Sequence, residues 1–190
     1  MSERLVEQAH ALVRSALVPG DLTVDATAGN GHDALFLAQQ VGPTGSAFAF
    51  DVQRAALRHT AERLRERGLS NGTLVNACHS KLLEHLPAGQ FIGAAMFNLG
   101  YLPRSDQRVT TQPDTTISAI SAALKGLRHG GILSVIAYTG HPGGWEEAEA
   151  VRTLLDSLSQ GEFERLDKTE APVEPPRPRL FVVRRAAEGV

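Results

Sequence analysis

Residues 25–33, DATAGNGHD, combine two glycines with two carboxylates in a short segment that suits the binding of a nucleotide. An apolar run at 22–24 precedes the segment, and a helix-like run at 34–38 follows it. A strand, a glycine-containing turn and a helix in this order form a unit that cradles nucleotides. Asp25 ends the strand, and Gly29 and Gly31 let the backbone approach a ligand closely. We therefore predict that these three residues belong to a cofactor site.

The type of nucleotide depends on the residues at the start of the following helix. A dinucleotide site carries the pattern G-x-G-x-x-G and places the pyrophosphate at the helix N-terminus. Here Ala34 occupies the third glycine position, a known variant, and Asp33 puts a negative charge at the helix start. That charge would repel a pyrophosphate but suits the ammonium group of a methionine moiety. The turn therefore favours S-adenosylmethionine as the cofactor over NAD.

Polar residues also follow the next two predicted strands. Asp51 comes 20 residues after Gly31, which is the spacing of an acid that binds ribose hydroxyls. Gln53 could reach the ribose or the adenine edge, and Cys78 and His79 stand where such folds place groups beside the adenine. Asp51 could also cap the helix that begins near residue 53, a role compatible with ribose binding. His79 has the alternative of being a solvent-facing helix cap.

The fourth predicted strand ends in Asn98, and Tyr101 follows three residues later. Ligands of open α/β sheets bind beyond the carboxyl ends of the strands, so both residues are expected near the methyl donor. An Asn side-chain oxygen can accept a hydrogen bond from an amine and aim its lone pair, while a Tyr ring can stack on a planar base. The pattern N-x-x-Y resembles the N-P-P-Y motif of methyltransferases that act on exocyclic amines of bases. The alternative is a strand-end turn with Tyr101 packed in the core.

Apolar strand-like runs alternate with helical patterns along the whole chain. We predict strands near 22–26, 46–51, 73–77, 92–98, 132–138, 162–168 and 179–184, and helices near 3–17, 32–41, 53–67, 80–86, 113–128 and 144–159. Such alternation implies right-handed crossovers and a mostly parallel sheet. The segment that joins the last two strands is too rich in proline for a crossover helix, so the seventh strand is expected to run antiparallel beside the sixth. The predicted architecture is an α/β, Rossmann-like sheet of seven strands with helices on both faces, similar to the class I methyltransferase fold.

Composition narrows the class of protein. With 190 residues and 42% hydrophobic content, the chain is expected to form one domain spanning 1–190. No segment has the length or apolar character of a membrane span or a signal peptide, and the single cysteine excludes an internal disulfide, so we expect a cytoplasmic protein without a membrane partner. We expect no metal site. The net charge of −2 gives no overall attraction to nucleic acid. We interpret the arginines of residues 54–67 as a solvated helix face and those of residues 177–185 as part of a charged terminal strand, with a local basic face for nucleic acid as the alternative.

Five segments together resemble a known family. These are DATAGNGHD, FDVQ, FNLGYLP, the threonine segment (Thr110, Thr111, Thr115 and Thr116) and YTGHPGGWEE. Over roughly residues 5–184 they are similar to the bacterial putative rRNA methylase family, whose characterised members look like tRNA wobble-uridine methyltransferases. The combination of FNLGYLP with YTGHPGG is specific to that resemblance. Cys78 is a departure, because serine is expected there.

The resemblance implies a reaction and a set of residues. The reaction is methylation of the amine of 5-aminomethyl-(2-thio)uridine at the tRNA wobble position, with S-adenosylmethionine as the donor. Contacts with the cofactor are implied for Asn30, Asp33, Asp51, Gln53, Cys78 and His79. Contacts near the substrate are implied for Asn98, Tyr101 and His141, although His141 could instead serve as a helix-entry residue.

Several alternatives remain at this point. The same fold could methylate rRNA or a small-molecule amine, or it could be a binding module that keeps the cofactor site without catalysis. The intact N-x-x-Y pattern argues against a silent module, and Asp33 argues against an NAD-linked oxidoreductase. The partner is expected to be the tRNA anticodon loop, or rRNA in the alternative. A homodimer would supply extra surface for RNA, because no separate RNA-binding domain is evident.

Overall fold

The computed structural model describes residues 2–102, 109–167 and 177–188. Its strands are β1 (Leu22–Asp25), β2 (Ser46–Phe50), β3 (Gly72–Val75), β4 (Ile92–Leu99), β5 (Leu127–Ala137), β6 (Phe163–Arg165) and β7 (Arg179–Arg185). Its α-helices are α1 (Ser2–Ala16), α2 (His32–Val41), α3 (Arg54–Glu66), α4 (Leu82–His85), α5 (Pro113–Gly126) and α6 (Gly144–Asp156), with a 3-10 turn at His79–Lys81 before α4. Every predicted element is present. Pro103 of FNLGYLP, residue 168 of the predicted sixth strand and residues 170–176 of the proline-rich connection lie outside the described residues.

The seven strands form one sheet in the order β3-β2-β1-β4-β5-β7-β6. The pairs from β3 to β5 are all parallel, whereas β7 runs antiparallel to both β5 and β6. The predicted antiparallel pairing of the last two strands is therefore confirmed, with β7 inserted between β5 and β6. The strand order reverses between β1 and β4, which is the place where open α/β sheets bind ligands.

Helices cover both faces of the sheet, and the alternation of side chains along β4 shows how. Met96 packs with residues of α1, α2 and α3 on one face. Ala95 and Phe97 point the other way and pack with residues of α4, α5 and α6. The predicted class I methyltransferase architecture is confirmed.

The start of β5 differs from the prediction. The sequence favours a strand from 132, because Gly130 and Gly131 suggest a turn, but β5 begins at Leu127. Leu127 pairs with Ile92, and the register then shifts before Ala94 pairs with Ile132. Gly130 absorbs this irregularity with a φ of 72°, a value that side chains rarely allow. The strand therefore passes through the glycine pair instead of starting after it.

The described helices include none that is long and apolar enough to cross a membrane.

Candidate active site

A cavity of about 590 Å³ opens at the carboxyl ends of β1, β2, β4 and β5. This volume lies within the range of small-ligand sites. Eleven of the predicted site residues border it: Asp25, Gly29, Asn30, Asp33, Asp51, Gln53, Cys78, His79, Asn98, Tyr101 and His141. The structure thus brings eleven predicted residues from five separate segments of the chain to one cavity.

Gly31 is the predicted site residue that does not border the cavity. Its φ is 76°, and a Cβ built on it would lie 2.7 Å from the Cα of Thr60 in α3. Contact between real Cβ and Cα atoms at that distance does not occur, so this glycine is needed for the close approach of the turn to α3. The sequence predicts approach to a ligand, and the structure adds a close approach to α3 that the sequence did not predict.

The Asp51 carboxylate is fixed by backbone groups on both sides. Its Oδ2 accepts the N–H of Gly29 at 3.0 Å, and its Oδ1 accepts the N–H of Gln53 at 2.8 Å. Gln53 occupies the cap position of α3, so Asp51 shapes the entry to the helix without being the cap residue itself. The two backbone donors hold the carboxylate at the cavity edge, where its remaining lone pairs can accept ligand hydroxyls.

Asp25 is fully buried, and its Oδ2 has no hydrogen-bond partner among the described residues. Burial, and next the charge of Asp33, raises the pKa of Asp25 well above its usual range. Its Oδ1 accepts the N–H of Thr27 at 3.1 Å. An unpaired buried carboxyl oxygen at the wall of a cavity is costly, and a ligand that carries a cation or a donor would offset that cost.

His79 is 8% exposed, so it is a buried residue and the predicted alternative of a solvent-facing cap is wrong. Its Nδ1 lies 3.2 Å from the carbonyl oxygen of Ala26, which requires that Nδ1 carries the proton. Nε2 then remains as an acceptor, and it has no partner among the described residues. Burial lowers the pKa of His79, which keeps the ring neutral. His79, Asp25 and Asp51 together give this side of the cavity hydrogen-bond acceptors for an ammonium group and for hydroxyl groups. These acceptors fit a nucleoside that carries an amino acid.

Asn98 is oriented by two contacts from the β1–α2 segment. Its backbone N–H donates to the Thr27 hydroxyl at 2.7 Å, and its side-chain Nδ2 donates to Asp33 Oδ2 at 2.5 Å. The other oxygen of Asp33 accepts a hydrogen bond from His10 Nε2 at 2.6 Å. Because the amide nitrogen is bound to Asp33, the amide oxygen is the atom that remains to accept a hydrogen bond. The sequence did not predict the contact of Asp33 with Asn98, or any role for His10.

Tyr101 and His141 form a pair of aromatic rings in the same cavity as Asn98. Their ring centroids are 5.7 Å apart with an interplanar angle of 76°, an edge-to-face contact. Both rings are partly exposed and border the cavity, so Tyr101 is not simply a core residue. His141 lies in the loop before α6, and its Nε2 is buried without a partner among the described residues. The alternative of a purely helix-entry role for His141 does not account for its contact with Tyr101.

A buried glutamate supports the loop that carries Tyr101. Glu147 is 1% exposed, and its two oxygens accept hydrogen bonds from the hydroxyls of Thr111 at 2.7 Å and Thr116 at 2.6 Å. The Thr111 hydroxyl in turn accepts the backbone N–H of Gly100 at 2.9 Å. The carboxylate forces the Thr111 proton toward itself, which leaves a lone pair for Gly100. Glu147 therefore has a structural role in this loop.

Sequence reasoning missed several residues that border the cavity or support its walls. Thr27, Thr111 and Glu147 hold backbone or side-chain groups, and Tyr138 borders the cavity from the end of β5 with a pKa raised by burial and by Asp33. Their roles depend on contacts between distant segments, so no local pattern signals them. The threonine segment was noted only through the family resemblance.

Comparisons with known proteins agree with this geometry. A family model described as putative rRNA methylase matches residues 47–184. A chloroplastic tRNA (mnm5s2U34)-methyltransferase of Arabidopsis thaliana is 36% identical over 185 residues, which cover 90% of this chain and 68% of that protein. The crystal structure of a putative rRNA methylase from Clostridium thermocellum superimposes with a TM-score of 0.86 at 37% identity, and the match covers 95% of this chain and 96% of that one.

A second solved structure bears on the ligand. A putative methyltransferase from Streptococcus mutans, in complex with SAH, has a TM-score of 0.83 at 32% identity and covers 95% of this chain and 97% of its own. SAH is the demethylated form of S-adenosylmethionine, which matches the acceptors that line the cavity. The chain therefore belongs to the putative rRNA methylase family and is a methyltransferase whose cofactor is S-adenosylmethionine.

Proposed function

We propose that the enzyme methylates the amine of 5-aminomethyl-(2-thio)uridine at the wobble position of tRNA, giving the 5-methylaminomethyl form. The observation that carries the proposal is the orientation of Asn98, whose amide nitrogen is held by Asp33 while its oxygen is left for an acceptor amine. When bound, S-adenosylmethionine supplies the methyl group. Asp25, Asn30, Asp33, Asp51, Gln53, Cys78 and His79 would hold that cofactor.

The acceptor amine must be neutral to attack a methyl group. An alkylamine resembles lysine, so keeping it neutral at pH 7 costs about 4.6 kcal/mol. A free carboxylate beside the amine would favour the cation and increase that cost. The carboxylate next to Asn98 belongs to Asp33, and it is already engaged by His10 and by Asn98. The group offered to the amine is thus a neutral amide oxygen, which accepts an N–H and aims the nitrogen lone pair.

Tyr101 and His141 provide the surface for the base that carries the amine. Two partly exposed aromatic rings in edge-to-face contact offer a stacking face that accepts any planar base. Such a face fits an unstacked nucleotide of a single-stranded loop, which is how RNA is usually read in sequence-specific complexes. The anticodon loop is a substrate of that kind.

The choice of tRNA is supported by the plant relative, whose name specifies the wobble position. The alternative is an rRNA or small-molecule amine as acceptor, and the description of the family model favours rRNA. We extend the proposal to a single catalytic domain over residues 1–190 that works in the cytoplasm, with a homodimer supplying further RNA surface.

Nucleoside mass spectrometry tests the substrate. The purified protein is incubated with S-adenosylmethionine and either tRNA that carries 5-aminomethyl-2-thiouridine or rRNA from the same cells. We expect loss of the aminomethyl nucleoside and equal gain of the methylaminomethyl nucleoside in tRNA. An Asn98→Ala variant that still binds SAH is the control for a contaminating methyltransferase. Methyl incorporation confined to rRNA would overturn the tRNA assignment while leaving the methyltransferase activity in place.

A further inference from the structure

His10 reaches the active site from the first helix, although it lies outside every motif of the cofactor and acceptor sites. Its Nε2 donates to Asp33 Oδ1 at 2.6 Å, and Asp33 Oδ2 accepts the Asn98 amide at 2.5 Å. The three side chains form a continuous hydrogen-bonded series that joins α1, α2 and the end of β4. The series ends on the group that is proposed to receive the acceptor amine.

The imidazole of His10 is held in one orientation by packing. It lies parallel to the ring of Phe36, with centroids 3.9 Å apart and an interplanar angle of 3°. Arg14 covers the Phe36 ring at 5.4 Å. Stacking fixes the plane of the ring, and within that plane Nε2 faces the Asp33 carboxylate.

Asp33, in the middle of the series, is more buried than His10 at its outer end. The His10 side chain is 21% exposed, whereas that of Asp33 is 6% exposed. Within the described part of the chain, His10 and Asn98 are the side chains that hydrogen-bond the Asp33 carboxylate. Without His10, one oxygen of a nearly buried carboxylate would lose its donor, and the carboxylate would be free to rotate away from Asn98.

We propose that His10 is a positioning residue, which fixes the Asp33 carboxylate and through it the orientation of the Asn98 amide. The inference rests on the proposed role of Asn98 as the group that receives the amine. His10 itself does not border the cavity. Its effect is to keep the amide nitrogen turned toward Asp33 and the amide oxygen turned toward the acceptor, a choice that an unrestrained Asn side chain does not make.

Kinetics of three variants test the effect on turnover. His10→Ala removes the donor and should lower kcat about tenfold, with the KM for RNA and the Kd for SAH changed less than about twofold. His10→Gln places an amide N–H near the position of Nε2, so it should restore most of the loss. His129→Ala removes a histidine that does not border the cavity, and its kcat should equal that of the parent protein.

Two kinetic outcomes would overturn the inference. If His10→Gln loses as much rate as His10→Ala, a hydrogen-bond donor is not sufficient, and proton transfer by the imidazole replaces positioning. If His10→Ala weakens SAH binding more than it lowers kcat, His10 serves the cofactor side of the cavity and not Asn98.

A spectroscopic measurement on the protein without RNA separates this inference from the substrate proposal. A short hydrogen bond to a carboxylate moves an amide proton downfield, so a side-chain proton of Asn98 should be shifted in the ¹H–¹⁵N spectrum and absent in Asn98→Ala. In His10→Ala that resonance should move toward the position of an exposed Asn, and in His10→Gln it should stay. An unchanged resonance in His10→Ala would disprove the coupling even if the enzyme methylates tRNA as proposed. A shifted resonance without tRNA methylation would retain the coupling and remove the substrate assignment.

Discussion

The two halves of the cavity are built in different ways. The cofactor half uses carboxylates and glycines that stand directly after β1 and β2, and its Asp51 bonds backbone N–H groups 2 and 22 residues away. The acceptor half depends on long-range contacts, since Asn98 bonds residues 71 and 65 positions away and Thr111 bonds a residue 36 positions away. The first half can be recognised as a motif. In the second half only the N-x-x-Y pattern is local, and the contacts that orient Asn98 exist only once the sheet has formed. We therefore expect changes in the two halves to affect different measured quantities.

The largest effect is expected at Asn98, which belongs to the acceptor half. Asn98→Ala should lower kcat at least about 100-fold, because the amine loses the group that aims it, while the Kd for SAH changes little. Asn98→Asp should also lower the rate and raise the pH optimum, because a carboxylate favours the ammonium form of the acceptor. Rate–pH profiles and SAH titrations measure both. If the Asn98→Asp enzyme kept the parent rate and profile, the role of the neutral amide would be contradicted.

For Asp51 we expect the opposite result, a change in cofactor affinity with little change in kcat. Asp51→Ala removes the proposed acceptor of ribose hydroxyls and a partner of two backbone N–H groups, so the Kd for SAH should rise roughly 10- to 100-fold. Isothermal titration calorimetry measures this change, and kcat at saturating cofactor should stay within about threefold of the parent value. A large loss of kcat with unchanged cofactor affinity would contradict the assignment of Asp51 to the cofactor half.

Glu147 should affect the stability of the acceptor half. Glu147→Gln keeps the shape but replaces one acceptor oxygen by a donor, so one of the two threonine hydroxyls can no longer donate to this side chain. We expect the free energy of unfolding to fall by about 1–3 kcal/mol. The neighbouring exposed residue provides the matched control, since Glu146→Gln should leave urea unfolding unchanged within about 0.5 kcal/mol. Equal effects of the two substitutions would remove the buried network as an explanation.

The smallest effect is expected for Asp25 in the cofactor half, where the substitution should stabilise the protein instead of destabilising it. Burial raises the pKa of Asp25 in the folded protein. The protonated side chain therefore contributes its full stability below its unfolded pKa of 3.8, and this stability is lost as the pH rises through the pKa of the folded state. Asp25→Asn should therefore become more stable relative to the parent protein as pH increases from about 4 to about 8. Thermal unfolding without cofactor measures the difference. Asp114→Asn, at an exposed site, should show no such trend.

Most of the fold and of the cofactor half could be predicted from sequence because their signals are local. Strand ends, glycines and acids fall at characteristic spacings, and hydrophobic periodicity identified every element. The start of β5 could not be predicted, because Gly130 and Gly131 favour a turn locally and the pairing with β4 overrides that preference. The packing of Gly31 against Thr60 could not be predicted, because Thr60 belongs to another helix. His10 and Thr111 carried no signal of their own, because their partners are distant in sequence.

The insertion of β7 between β5 and β6 affects the order in which the chain can fold during synthesis. Strand β5 is 11 residues long, and most of it is buried. Its neighbour on one side is β7, which is synthesised more than 40 residues later. Strand β6 pairs only with β7 among the described strands, so it cannot join the sheet before then. A nascent chain that ends before residue 179 therefore carries the finished cofactor half beside an open apolar edge. Such an edge invites pairing with other chains, and truncation in this region should cause aggregation before it causes loss of the cofactor site.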